Sequence, residues 1–359
     1  MVKLMTPGPV QVRENVRLAR SYETTNPDLD PQFYDYYKET CELLSSLLHT
    51  KNESYLLSGE GILGLEAAVA TLTEKDDRVL VLDNGVFGAG FADFVTLYGG
   101  QAAVYKSDYR KQIDVKALKE YLDNDHDFKY ATVVHCDTPT GMLNDVTAIC
   151  RLLKEYGILT VVDSVSAMFG NYLDVDEARI DILCGGSQKA LSAPVGMSLV
   201  TVSDDAKKAF EERKTKVASF YCNLMTFKTY YEDKWFPYTM PASDIMGVRC
   251  ALENVKNDPD IIGRHARIAK KTRDAITGMG LELYAQDGYS NTVTVFNVPQ
   301  GMTADYITTT MKEKYNIMIA GSFDVMTGKV IRIGHMGENA NDEDIDAVLD
   351  ALKEIINNN

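Results

Sequence analysis

The order in which short apolar runs alternate with longer amphipathic segments limits this chain to one class of architecture. RVLVL at 78–82, QAAVY at 101–105, YATVVH at 130–135, ILTVVD at 158–163 and DILCGG at 181–186 are nearly unbroken apolar stretches. Runs of that kind read as parallel strands covered on both faces. The segments between them, 62–73, 88–98, 114–123 and 145–156, repeat their apolar residues at helical spacing. In the first of these, Leu63, Ala67 and Ala70 share one face. Strand and helix in succession predict an α/β fold, a mainly parallel sheet joined by right-handed crossovers. MSLVTV at 197–202 reads as one further strand, after which the alternation stops.

The remaining segments are built differently. A turn-rich arm (Pro7-Gly8-Pro9) opens the chain, and a polar stretch from Asn26 to Pro31 leads into a helical pattern ending at Leu47. Residues 203–240 run from a charged helix, DDAKKAFEERK, into a stretch where Tyr221, Tyr230, Tyr231, Trp235, Phe236 and Tyr238 crowd together. Such density fits either a loop covering the core or a subunit interface. A helical region from Ala242 to about Gly280 breaks near Asn257-Asp258-Pro259. The rest reads β-β-α-β-β-α, at 281–285, 291–297, 303–315, 316–320, 329–334 and 342–356. A chain of 359 residues exceeds one ordinary core. The expected division is an arm at 1–16, a large domain at 17–258 and a smaller α+β domain at 259–359.

Charge and cysteine usage narrow the function classes. Lys+Arg is 37 against Asp+Glu 52, a formal net charge of −15, and a surface of that sign repels nucleic-acid backbones. No run approaches the ~18 apolar residues needed to span a bilayer, and MVKLMTPGPVQV lacks the apolar core of a secretory leader. The six cysteines form no CxxC pair and read as reduced thiols. No metal-ligand spacing stands out. A cytoplasmic enzyme is expected.

Ligands of open parallel sheets bind beyond the carboxyl ends of the strands, so the residues after each strand carry the chemistry. Ser58-Gly59-Glu60-Gly61 precedes the first amphipathic helix, where free N–H groups can hold a phosphate; equally, it can be a simple cap. It matches neither the dinucleotide nor the nucleoside-triphosphate fingerprint. Asp163 ends one strand, as a turn cap or as a fixed anion. Lys189 follows Gly185-Gly186-Ser187-Gln188 at the end of the next. A phosphate cradle, an acid and a lysine at one sheet edge are what pyridoxal 5'-phosphate needs. Its aldehyde forms a Schiff base with a lysine, its ring nitrogen needs an acid partner, and its ring faces need packing. Phe87 and Val165 are placed to supply the last.

The motifs MTPGPV (5–10), LSGEG (57–61), NGVFG (84–88), HCDTPTG (135–141), VVDSVSA (161–167), GGSQKALSAPVG (185–196), YTMP (238–241) and IRIGHMG (331–337) occur in this order. Together they resemble the class V aminotransferases, fold-type-I pyridoxal-phosphate enzymes, near the alanine–glyoxylate and serine–pyruvate aminotransferases. The resemblance implies a large domain with a mainly parallel seven-stranded sheet and a smaller C-terminal domain. It also implies roles. Lys189 would bind the cofactor and shuttle the proton, and Asp163 would pair with the ring nitrogen. Val165 and Phe87 would sandwich the ring, with Thr138 near its phenolic oxygen. Ser58, Gly59, Glu60, Ser187 and Gln188 would hold the phosphate. Thr239 matches a residue donated by the neighbouring subunit of a homodimer, and Arg332 matches the arginine that grips the substrate carboxylate, a task suited to its planar fork. Gly8 and the loop from Ser21 to Asn26 would face the substrate.

Three positions depart from the resemblance. Phe87 stands where tryptophan is common, and Phe236 where some relatives place a phosphate-binding tyrosine. Glu60 puts a carboxylate into the phosphate turn, so only its backbone N–H is expected to point inward. Transamination by a ping-pong mechanism is the expected reaction, from an alanine- or serine-like donor to a glyoxylate- or pyruvate-like acceptor. A 2-aminoethylphosphonate-type aminotransferase and a lyase or desulfurase of the same fold are the alternatives. The desulfurase is disfavoured because Gln188 stands before Lys189 and no cysteine follows Cys250.

Overall fold

The computed structural model describes residues 2–358. In chain order, β1 (Lys3–Leu4), α1 (Glu14–Ala19) and α2 (Pro31–Leu47) precede a run of alternating elements. These are β2 (Glu53–Ser58), α3 (Gly61–Leu72), β3 (Arg78–Asp83), α4 (Val86–Leu97), β4 (Gln101–Lys106), α5 (Val115–Asn124) and β5 (Tyr130–Val134). A small hairpin, β6 (Cys136–Asp137) and β7 (Met142–Leu143), leads to α6 (Val146–Glu155), β8 (Leu159–Asp163), α7 (Val175–Ala178), β9 (Ile182–Gly186), β10 (Met197–Val202) and α8 (Asp204–Glu211). Local chemistry sets several starts: Asp30, Asp114, Asp145 and Ser203 each accept a backbone N–H of the helix they precede.

Seven strands form one sheet in the order β2-β10-β9-β8-β5-β3-β4. Every neighbouring pair is parallel except those of β10, which runs antiparallel to both β2 and β9. The central strands β5 and β9 are buried along their length, and β8 from Thr160 onward, as their apolar runs require. One expectation fails here for a reason of position, and one strand had no reading in the sequence. The QAAVY segment is a strand but not a buried one, because β4 is the sheet's edge, pairs only with β3, and leaves Val104 exposed. The seventh strand, β2, begins with Glu53 and Ser54 and therefore lacks a purely apolar run.

The second part of the chain comprises α9 (Ala242–Lys256), α10 (Ile261–Gly278), β11 (Val293–Asn297), α11 (Ala304–Tyr315), β12 (Ile317–Met318), β13 (Val330–Gly334) and α12 (Asp342–Asn357). The expected break near Asn257-Asp258-Pro259 is the gap between α9 and α10. The expected strand at 281–285 is absent. Leu283 forms a single bridge with Phe296, through Tyr284 N donating to Val295 O and Asn297 N to Glu282 O, and then the backbone diverges, Gln286 N donating to Arg110 O. The strand expected at 316–320 shrinks to β12, which pairs in parallel with β1.

Two large hydrophobic cores result, with a smaller third in which Cys136 and Ala167 meet Val293, Val295, Met326 and Val330. Of the large two, one gathers residues from Val10 to Val255 together with Met336; the other joins Met5 to residues from Ile268 to Ile355. The aromatic stretch is only partly core. Tyr230 and Phe236 are buried, with Phe236 stacked on Tyr34 at 4.6 Å, whereas Trp235 is 71% and Phe220 60% exposed.

Candidate active site

Strand register gathers the chemistry at one edge of the sheet. Met197 of β10 lies opposite Ser58, and Ser198 opposite Gly186, so the ends of β2 and β9 are level. Asp163 pairs with Cys184 two residues before that end. The chain can crowd there because it is small. A Cβ on Gly61 would stand 2.9 Å from Val165 Cγ2 and 3.6 Å from Gly186 Cα.

Lys189 projects into this crowded edge and is only partly exposed. Its Nζ donates to Pro7 O at 2.5 Å, which brings the N-terminal arm over the site. Gly8 has φ +109, and a Cβ there would lie 2.6 Å from Nζ, so both backbone and space demand glycine. Burial lowers the amine to about 8. Arg332 pushes the same way, while Cys136, Asp163 and Glu60 oppose. A neutral amine is the nucleophilic form, so desolvation prepares Lys189 to attack a carbonyl.

Asp163 is 5% exposed, and its Oδ1 accepts Val165 N–H at 2.9 Å. Its Oδ2 makes no hydrogen bond to any described residue. Burial raises this carboxyl to about 7; Asp137 and Glu60 add to the rise, against the Val165 N–H and Lys189. A buried acid held by one donor is unfinished, and a cationic N–H would complete it.

A third acid, not singled out in the sequence, organises the opposite wall. Asp137 Oδ1 accepts Phe87 N–H at 2.9 Å, and Oδ2 accepts the Thr140 hydroxyl at 2.8 Å. Burial pushes it up to about 6 despite these donors. A Cβ at Gly85 would strike its carboxyl carbon at 2.3 Å, so the turn before α4 is pressed onto Asp137. Thr138, beside it, is 2% exposed. The Phe87 ring meets Phe323 edge-on at 5.8 Å, and the Arg332 guanidinium lies 5.4 Å from the Phe323 ring centre. Arg332 Nε donates to Gly321 O at 2.6 Å, and its two terminal amino groups bond to no described residue. Burial lowers this arginine to about 10, with Asp137 opposing. Phe323 had no signal in the sequence; Asp137 lay unremarked inside HCDTPTG.

The turn from Ser58 to Glu60 is arranged otherwise than expected. The Glu60 side chain itself points to the helix terminus: Oε2 accepts Ile62 N–H at 3.0 Å, and Oε1 accepts Gln188 Nε2 at 2.5 Å. This corrects the expectation that only its backbone N–H would face inward. The helix N-terminus attracts negative charge, and the nearest carboxylate has taken the place. Ser198 was also missed. Its hydroxyl donates to Glu60 O at 2.6 Å and accepts Gly64 N–H at 3.1 Å. The Ser187 hydroxyl donates to Pro194 O at 2.6 Å. Thr239 is exposed and donates to Asp28 Oδ2 at 2.7 Å.

A model of the family described as aminotransferase class-V matches residues 16–353. This chain is a class-V aminotransferase. It is 36% identical over 341 residues to an uncharacterised aminotransferase of Methanocaldococcus jannaschii, covering 93% of this chain and 87% of that one. It is 31% identical to a pyridoxamine–pyruvate transaminase of Mesorhizobium japonicum, covering 94% and 86%. Among solved structures, a ureidoglycine–glyoxylate aminotransferase from Bacillus subtilis superposes with a TM-score of 0.96 at 28% identity, over 100% of this chain and 93% of that one.

The aminotransferase is thus a pyridoxal-phosphate-dependent enzyme of fold type I. The unpaired Asp163 oxygen and the depressed Lys189 amine fit the ring of that cofactor. His135, beside them, is buried with Nδ1 3.1 Å from Ser164 Oγ, and burial lowers it to about 4. It stays neutral. Cys136 and Cys184 are buried thiols raised by desolvation, which makes them inert.

Proposed function

We propose that the enzyme moves the amino group of a small L-amino acid, alanine- or serine-like, to a 2-oxo acid of the glyoxylate or pyruvate kind. The names of its relatives support the acceptors, pyruvate in one case and glyoxylate in another. A transaminase that aminates pyruvate makes alanine, and in reverse it uses alanine as donor. The observation that carries this reading is the pair formed by Lys189, an amine lowered to about 8, and Arg332, with two terminal amino groups free.

In this reading the bound cofactor supplies an electron sink beside the Cα–H bond of the amino acid. Lys189 holds it and, once released, carries the proton at Nζ. Asp163 would hold the ring nitrogen, and Val165 and Phe87 would pack on the ring, with Thr138 near its phenolic oxygen. Arg332 receives the substrate carboxylate in a bidentate grip. Gly8 leaves the space through which the lysine moves. The two half-reactions share one site, which gives ping-pong kinetics. A panel of amino acids added to the holoenzyme, each followed by loss of the lysine-linked absorbance band, tests reaction class and donor together. Loss of the band with small donors, and its return with glyoxylate or pyruvate, is the expected outcome.

A desulfurase gains no support from the cysteines: five of the six are buried, and burial raises Cys250 as well. We further propose a homodimer sharing its sites. Exposed Thr239 and the exposed rings of Phe220, Tyr221 and Trp235 lie on one continuous segment and support it. The two large cores support a division at 17–258 and 259–359, although Met5 of the arm 1–16 and Met336 each join the core of another segment, and the free thiols suit a reducing cytoplasm.

A further inference from the structure

The helix terminus that should receive an external anion already carries one of the chain's own. Glu60 is the N-cap of α3, and its two oxygens engage the Ile62 amide and the Gln188 side-chain amide. Those are two of the donors a phosphate at this terminus would use. Other features hold the carboxylate in place. Ser198 grips the Glu60 carbonyl from the neighbouring strand and fixes the turn. Gln188, 4% exposed, is oriented so that its nitrogen faces Glu60, which leaves its Oε1 buried without a partner. The fold tolerates that orphaned acceptor in order to serve the carboxylate. No lysine or arginine among the described residues forms an ion pair with Glu60. A phosphate would therefore bring more negative charge to a terminus with no further cation, and it would have to displace Glu60 from both donors.

The ring end is the reverse, since Lys189, Asp163 and Arg332 all keep groups free. We propose that Glu60 stands in for the cofactor's phosphate, so that this site also takes the unphosphorylated ring, pyridoxal or pyridoxamine, at Lys189 and Asp163. The proposal rests on the transaminase reading and narrows its substrate class. A ring without a phosphate anchor exchanges with solution and becomes a reactant as well as a resident group.

The test is a binding titration of the full-length protein, freed of bound vitamin B6, with pyridoxal and with pyridoxal phosphate. The lysine-linked absorbance band is the readout. Wild type is expected to bind pyridoxal within about tenfold of the phosphate form, or better. Glu60→Gln keeps an acceptor for Ile62 N–H and removes the charge, and it should shift the affinity ratio towards the phosphate form by about tenfold or more. Glu60→Ser, which retains a capping hydroxyl, should shift it the same way. A wild type that prefers the phosphate form by about a hundredfold, or variants that leave the ratio unmoved, would overturn the proposal. If neither aldehyde gives the band, the transaminase reading falls too; a band with the wrong preference removes this inference only.

Discussion

At one end of the active site the charged groups are short of partners, and at the other the carboxylate and hydroxyl are engaged within the chain, with the neutral Gln188 Oε1 left unpaired. Lys189, Asp163 and Arg332 are each driven towards the neutral form by burial. Asp163 Oδ2 and the terminal amino groups of Arg332 have nothing within the described residues to bond. Glu60 and Ser187 have spent their side chains on Ile62, Gln188 and Pro194. The difference teaches where a ligand is required. Desolvated, underpaired charge is a free-energy deficit that binding can repay, and a carboxylate already held by two donors offers no such gain.

The comparison breaks most severely at Lys189. Lys189→Ala should lower turnover about ten-thousandfold or more and abolish the lysine-linked absorbance band with the fold intact. A variant that keeps a borohydride-stable link to the cofactor would refute the assignment. Next in size is Arg332→Ala, expected to lower kcat/KM about a hundredfold for every α-carboxylate substrate, in keeping with two lost charge-assisted hydrogen bonds. The same variant sharpens the electrostatics. Capture of the cofactor aldehyde by wild-type protein should rise as pH increases through about 8, where Lys189 loses its proton. Because Arg332 helps to lower that amine, its removal should move the midpoint upward; an unmoved midpoint would mean the two groups do not sense each other.

The smallest effect concerns stability. Asp163 titrates near 7 in the fold against an ordinary value of 3.8. Between those values the unfolded chain has released a proton that the fold retains, so stability falls as pH rises and the loss is complete above about 7. Asp163→Asn, stripped of cofactor, should therefore melt a few degrees above wild type at pH 8, roughly 2–4 °C for each kcal/mol regained. The gap should shrink towards pH 5. Equal melting at both values would show that the acid is not held against its charge.

The sheet was legible because strands buried on both faces leave unbroken apolar runs, as at Thr160 to Val162 and Ile182 to Cys184. Where burial is one-sided the signal fades. Glu53 and Ser54 disguised β2, and the apolar QAAVY concealed an edge. Lys189 and Asp163 were legible from their places at strand ends, and Arg332, in the middle of β13, only through the resemblance carried by IRIGHMG. Asp137 was not, because a lone Asp in a turn-rich motif looks like a cap; its contacts to Phe87 and Thr140 exist only after folding. The Glu60–Gln188 bond spans 128 positions of sequence, and its geometry is set by β10 bringing Ser198 beneath the turn. Spacing along a chain carries no record of such a meeting.

The first ten residues deserve care at the bench. Met5 is fully enclosed in the C-terminal core, Lys3 and Leu4 pair with Ile317 and Met318, and the carbonyl of Pro7 lies against the reactive amine. A purification handle or truncation at this end would pull on the catalytic centre through only a few peptide units. Handles are better appended behind the last helix, where Asn357 and Asn358 are exposed.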